Sequence, residues 1–284
     1  MIEARGLIKK FGDLTAVDGV DLSIRRGEIF GLLGPNGAGK TTTVRMLTML
    51  LNPTAGEIIL DGIDISKNPT EAKKLIGITQ QHISLDKDIS VWENLKYKAI
   101  LQGIPRKEAA ARIDELSKVM GLGPYMDKLV GDLSGGWKKR TAIVAAIIHN
   151  PKILFLDEPT TGLDTQSRHV LWELIRDMRS KGTTIVLTTH YIEEAEALCD
   201  RIAMIDHGKV VLSGTPDELC RSFGRWTVEY INEHEKRCYA YFDKKDEADR
   251  FISSVGSQDR TMLRRTHLED VYLETTGRET GASE

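Results

Sequence analysis

Apolar and polar residues alternate over residues 2–8 and again over 16–24, the two-residue period of a half-buried strand. A short apolar run at 28–33 ends in a glycine-rich loop, and the stretch behind it, 41–51, reads as a helix closed by Asn52-Pro53 and Gly56. Residues 57–60 predict a further strand, with Asp61-Gly62 as its turn. The middle of the chain is helical in pattern: Pro105 opens a helix that Gly121 stops, and 138–149 predicts a second, closed by Asn150-Pro151. Strand signals return at 153–156 and 183–189, helical periodicity occupies 166–180 between them, and 201–214 has the form of a hairpin around His207-Gly208. Strands alternating with helices predict a parallel sheet with helices on its faces.

Composition shifts near residue 220. Beyond it lie two strand-like runs, 225–231 and 237–242, a polar helix near 246–255 and another near 268–275. We expect a large domain over 1–220, with a helical subdomain at about 84–143, and a small α+β appendage over 221–284. A length of 284 residues suits that division. At 40% hydrophobic and 29% charged residues the chain is ordinary for a folded globular protein. A net charge of -3 lends no support to a protein that coats nucleic acid. Cys199, Cys220 and Cys238 are odd in number and widely spaced, so free thiols are expected. The N-terminal residues carry no apolar core of the signal-peptide kind, and no run approaches the roughly 20 apolar residues of a membrane span. The expected location is cytoplasmic, and any work at a membrane needs a partner to supply the spanning segments.

Two segments carry the chemistry. Residues Gly34, Pro35, Asn36, Gly37, Ala38, Gly39, Lys40 and Thr41 fit GxxxxGK[ST], after a strand and before a helix. Glycines let backbone N–H groups curl around phosphate oxygens, and the following helix aims its positive end at the same anion. Lys40 adds a charge for the β- and γ-phosphates, and Thr41 a hydroxyl for Mg²⁺; Thr42 continues the loop into the helix. The second segment, 153–158, is an apolar strand that ends in Asp157 and Glu158. It brings carboxylates to the edge where open α/β sheets bind ligands. Asp157 suits Mg²⁺ with its water shell, and Glu158 suits a general base for an attacking water. Alone, that segment reads almost as well as a solvated acidic turn.

Leu133-Ser134-Gly135-Gly136, at a predicted helix start shortly before the acidic strand, narrows the choice. With it, and with 153–164 and 184–190 in the same order, the sequence resembles the ABC ATPase family over residues 1 to about 217. The resulting expectation is an α/β fold: a P-loop NTPase core with a mainly parallel sheet, an antiparallel β subdomain, a helical subdomain and the small C-terminal α+β domain. The resemblance implies an ATP-hydrolysing subunit that uses Mg²⁺ and works as a head-to-tail dimer with a second ABC ATPase subunit, expected to be an identical chain, against an integral membrane permease, with no nucleic acid as partner. Each ATP then lies between one subunit's phosphate loop and the other's Ser134, Gly135 and Gly136.

By position in the family pattern, Gln81 corresponds to the glutamine that senses Mg²⁺ and the attacking water. Asp164 corresponds to the aspartate that links the two sites, His190 to the histidine at the γ-phosphate, and Phe11 to the aromatic that stacks on adenine. Two departures stand out. Gln80 precedes Gln81 where the family has proline, which makes Gln80 a rival. Trp137 follows the Ser-Gly-Gly turn where glutamine is common, implying nucleotide contacts that are weaker or replaced by stacking. The stretch 268–274, followed by Thr276-Gly277, resembles the tail of drug-export and antibiotic-resistance motor subunits, which points to export. The alternative is a soluble ABC ATPase acting on ribosomes or nucleic acid; one cassette, no heptad array and no basic excess stand against it.

Overall fold

The computed structural model describes residues 1–80, 84–232, 234–255 and 261–277. Gln81 lies outside them. The chain begins with β1 (Ile2–Phe11) and β2 (Leu14–Ile24), then β3 (Ile29–Leu33), which runs through the glycine-rich loop into α1 (Lys40–Leu47). β4 (Ala55–Leu60), β5 (Ile63–Asp64), the short α2 (Pro69–Lys74) and β6 (Ile76–Thr79) follow. Three helices, α3 (Val91–Leu101), α4 (Arg106–Val119) and α5 (Gly135–Ile147), fill the middle. Next come β7 (Ile153–Asp157), α6 (Thr165–Ser180), β8 (Thr184–Thr189), α7 (Ile192–Leu198), the hairpin β9 (Arg201–Asp206) and β10 (Lys209–Gly214), and α8 (Pro216–Phe223). The C-terminal part holds β11 (Trp226–Ile231), β12 (Arg237–Phe242), α9 (Lys245–Val255), β13 (Thr261–Arg265) and α10 (Leu268–Thr276). The expected boundary at residue 220 falls inside α8.

A six-stranded sheet, ordered β10-β9-β3-β8-β7-β6, forms the centre. Its neighbours pair in parallel except at the β9–β10 hairpin. Successive side chains of β3, β7 and β8 point to opposite faces, and both faces are covered. Ile29, Leu154, Leu156, Ile185 and Leu187 pack against the layer of α3–α8 and α10. Phe30, Leu32, Ile153, Phe155 and Val186 pack against α1 and the antiparallel sheet β2-β1-β4-β5. This burial explains why 153–156 and 184–187 are apolar without alternation, whereas β10, with one face open, alternates.

Local chemistry sets the helix starts. Ser90 and Glu93 form a capping box at α3, and Thr215 and Glu218 another at α8, whose first residue is Pro216. Met120 and Gly121 close α4, with Gly121 in the left-handed region.

The third sheet, β12-β11-β13, is antiparallel. Residues 261–265 carry no strand expectation from sequence: Thr261–Arg265 is short, basic and half-buried, and its pairing with β11 makes it a strand. α9 covers one face of this sheet, where Phe251 meets Tyr230 and Phe242. α10 ties the sheet to the main body. Its Leu268, Val271 and Tyr272 join the hydrophobic core that α7 also lines, and the Leu268 amide donates to Glu196 at 2.7 Å. At its N-terminus Asp270 is fully buried, accepting two bonds from Arg264 at 2.6 Å each and one from Thr227 at 3.2 Å.

Replacing Asp270 by alanine strands the Arg264 guanidinium against the core. The expected loss is about 2–4 kcal/mol of stability, since a half-broken buried pair leaves an uncompensated charge. Denaturant unfolding of the variant against wild type checks it; an unchanged midpoint contradicts it.

Candidate nucleotide site

The C-terminal ends of β3, β7 and β8 lie side by side and deliver the site. In the parallel register, Leu33 pairs with Thr189 and Asp157 with Thr188. The loop after β3 and the residues after β7 and β8 therefore emerge on one edge, as ligand sites in open α/β sheets require. A cleft of about 630 Å³ opens there, lined by the loop residues Asn36 to Thr42, by Phe11, Leu14 and Ala16, and by Glu158, Thr161 and His190.

The loop's shape is forced. Gly39, which precedes α1, has φ of 104°, and a Cβ there would sit 2.6 Å from the carbonyl oxygen of Ala16. At Gly34 a Cβ would meet the Ile205 carbonyl oxygen at 2.2 Å. Only glycine fits either place. Lys40 is 5% exposed, and its ammonium donates to the carbonyls of Gly34 at 2.7 Å and Pro35 at 3.0 Å. Burial lowers its pKa, and the carboxylates of Glu158 and Asp157 pull it back up.

Asp157 and Glu158 are both buried. Asp157 Oδ1 accepts from Thr188 Oγ1 at 2.6 Å and from Thr41 Oγ1 at 3.2 Å. Thr188 in turn accepts from the Glu158 amide at 3.0 Å. His190 Nδ1 lies 3.2 Å from Glu158 Oε1, and Thr161 Oγ1 donates to Oε2 at 3.2 Å. The structure thus brings Lys40, Thr41, Asp157, Glu158 and His190 together at one edge of the sheet. Phe11, 49% exposed at the cleft mouth, has Lys9 above its ring.

Ser134, Gly135, Gly136 and Asp164 do not line this cleft. Ser134 stands at the exposed N-terminus of α5 and makes no side-chain cap bond among the described residues, so it is not an ordinary capping serine. Asp164 does cap: its carboxylate accepts from the Ser167 amide at 2.8 Å and hydroxyl at 2.7 Å, which hold its pKa below the usual range. Trp137 turns to its own chain, its ring 4.1 Å from that of Tyr125 and 4.5 Å from the Arg140 guanidinium. The stacking expected at this position is thus intramolecular.

Several residues escape a reading of motifs. Leu14 and Ala16 reach the cleft through β2 rather than through any signature. Thr188 is legible only in hindsight, as the hydroxyl residue two places before His190. Lys139 is 5% exposed, and its ammonium donates to the carbonyls of Glu158 at 3.0 Å and Asp157 at 3.5 Å. Glu194, 1% exposed, has its pKa raised by burial.

Comparison with known proteins agrees with this geometry. The family model described as "ABC transporter" matches residues 17–161, and a second model, of an AAA domain, matches 130–194. The chain is 43% identical over 253 residues to the daunorubicin/doxorubicin resistance ATP-binding protein DrrA of Streptomyces peucetius, covering 89% of this chain and 74% of that one. It is 38% identical over 297 residues to the Nod factor export ATP-binding protein I of Cupriavidus metallidurans, covering 98% of each. Among solved structures, an ATP binding subunit of an ABC transporter superposes with a TM-score of 0.73 at 28% identity, over 78% of this chain and 93% of that one. A dimeric ATP-binding cassette in a post-hydrolysis state, bound to ADP and Pi, gives 0.71 at 28%, over 76% and 98%.

Because Trp137 packs within its own chain, Trp137→Gln is expected to cost about 1–2 kcal/mol of stability through lost aromatic and cation–π contacts. ATP turnover per folded molecule should stay near wild type. Denaturant unfolding and a steady-state ATPase assay check the two halves; collapse of turnover in a stable variant contradicts the assignment.

Proposed function

The chain belongs to the ATP-binding subunit family of ABC transporters, and from that premise we propose that it is the motor of an exporter, closing as a head-to-tail homodimer around two ATP molecules and driving a separate membrane permease. That it binds and hydrolyses ATP as such a subunit follows from membership. The observation that carries the detailed reading is the convergence of Lys40, Thr41, Asp157, Glu158 and His190 on one cleft at the sheet edge.

In this reading the loop amides from Asn36 to Thr42 and Lys40 cradle the phosphates, and Phe11 stacks on the adenine. Glu158, fixed by His190 and Thr161, takes the proton of the attacking water. His190 reaches from the same edge toward the γ-phosphate. Catalysis of this kind is mostly positioning and electrostatics. The Thr41 hydroxyl and the Asp157 carboxylate, 3.2 Å apart, form an oxygen donor pair suited to a cation that keeps most of its waters. Mg²⁺ bound there would neutralise charge on the β- and γ-phosphates. Gln81 is assigned to the same region by family position.

The dimer reading rests on the second anion-binding turn. Ser134, Gly135 and Gly136 open a helix N-terminus away from this chain's own cleft, with the serine hydroxyl free of a capping bond. A second copy supplies the phosphates it lacks, and Asp164 at the start of α6 belongs to the same interface. The permease reading rests on a groove between the β6 edge and the helical layer, lined by Ile78, Gln80, Leu85, Tyr97 and Leu101. Tyr97 and Leu101 are 51% and 82% exposed, an apolar rim to a groove that Gln80 also lines. No helix among the described residues is long and apolar enough to cross a membrane; in this reading a separate permease supplies the spanning part and holds this chain at its cytoplasmic face. Export is named for the Nod factor relative and drug resistance for DrrA, and the export reading takes both as support.

Glu158→Gln keeps the geometry and removes the base. It should bind ATP like wild type, lose turnover about 10²–10⁴-fold and accumulate as an ATP-bound dimer. Turnover and size-exclusion chromatography with ATP check this; normal turnover sinks the base assignment. Tagged Glu158→Gln captured from native membranes should bring down a multi-span protein in fixed stoichiometry, and recovery with ribosomes alone would overturn the transporter role.

A further inference from the structure

The peptide that carries the base is strained. Glu158 has φ of 47°, in the left-handed region, and it precedes Pro159, which further restricts its backbone. A residue in this state persists only where its surroundings hold it. On the cleft side the hold is made by Thr188, through the Glu158 amide. The carbonyl on the other side of the residue is held by a group outside the motifs: the buried ammonium of Lys139, 3.0 Å from Glu158 O and 3.5 Å from Asp157 O.

We propose that Lys139 is a positioning residue for ATP hydrolysis: by donating to the Glu158 and Asp157 carbonyls it fixes the strained peptide and so aims the Glu158 carboxylate, without touching the nucleotide. Its own placement is determined by α5, where it lies just over one turn beyond Ser134. Burial disfavours its charge, and the carboxylates of Asp157, Glu158 and Glu194 sustain it. Of these, Glu194 is 1% exposed, burial raises its pKa, and its Oε1 accepts from Trp172 Nε1 at 3.4 Å. The consequence is geometric: one helix presents Ser134 at its tip and grips its own subunit's base one turn later.

The inference rests on Glu158 as base, and the two can fail separately. The full chain is compared as wild type, Lys139→Met, Lys139→Arg and Glu158→Gln, by ATP titration and steady-state kinetics. Lys139→Met should bind ATP with unchanged affinity and KM while kcat falls about 10–100-fold, the cost of a misplaced reacting group. Lys139→Arg, which still donates to both carbonyls, should restore most of that loss. Wild-type kcat in Lys139→Met overturns the proposal, as does a parallel loss of ATP affinity that Lys139→Arg fails to repair. If Lys139→Met does not fold, Lys139→Gln takes its place: kcat below that of Lys139→Arg at constant KM supports the role, and equal kcat overturns it. Normal turnover in Glu158→Gln would instead remove the base on which the inference stands.

Discussion

The parallel register of β3, β8 and β7 is the constraint on which the catalytic edge depends. It sets Leu33 beside Thr189 and Thr188 beside Asp157, so that three loops leave the sheet at one level. Side chains alternate along a strand, and a slip of one residue would send Asp157 and Thr188 to the wrong faces while mismatching the packing of both covered layers. The register is held by that core. Ile29, Leu154, Leu156, Ile185 and Leu187 face one layer, and Phe30, Ile153, Phe155 and Val186 the other, with none more than 2% exposed. Apolar burial on both faces thus determines where the carboxylates stand.

Around that edge the protein concentrates polar groups that would be costly elsewhere. Lys40, Lys139, Asp157, Glu158 and Glu194 are all less than a tenth exposed. Each lysine donates to backbone carbonyls, and nearby carboxylates oppose the lowering of its pKa by burial. The hydroxyls of Thr41, Thr161 and Thr188 complete the network. A network of this kind has few alternative arrangements in a dry interior, which is what a strained residue such as Glu158 needs in order to stay where it is.

The C-terminal part is joined to the motor by more than a linker. α10 places Leu268, Val271 and Tyr272 in the core shared with α7, and α7 begins two residues after His190. Asp270 and Arg264 lock α10 to the third sheet from the other side. The boundary that composition suggests near residue 220 lies within α8, because composition registers a change of surface and strand character, whereas packing follows contacts that span more than 70 residues, as between Glu196 and Leu268.

Read alone, the sequence determined the chemistry that is local. The phosphate loop, the acidic strand end, the Ser-Gly-Gly turn and the Pro105 start and Gly121 stop of α4 are each written within a few consecutive residues, since spacing along the chain is what the backbone needs to form them. The alternation of strands and helices likewise announced a parallel sheet. Only the tertiary structure decided what depends on distance across the fold. β13 becomes a strand by pairing with β11, not by its own residues. Trp137 is occupied by Tyr125 and Arg140. Thr188 and Lys139 acquire meaning from residues 31 and 19 positions away. Such contacts carry no fixed spacing; they are chosen by which faces the core brings together, and a burial pattern becomes a set of neighbours only once the layers have packed.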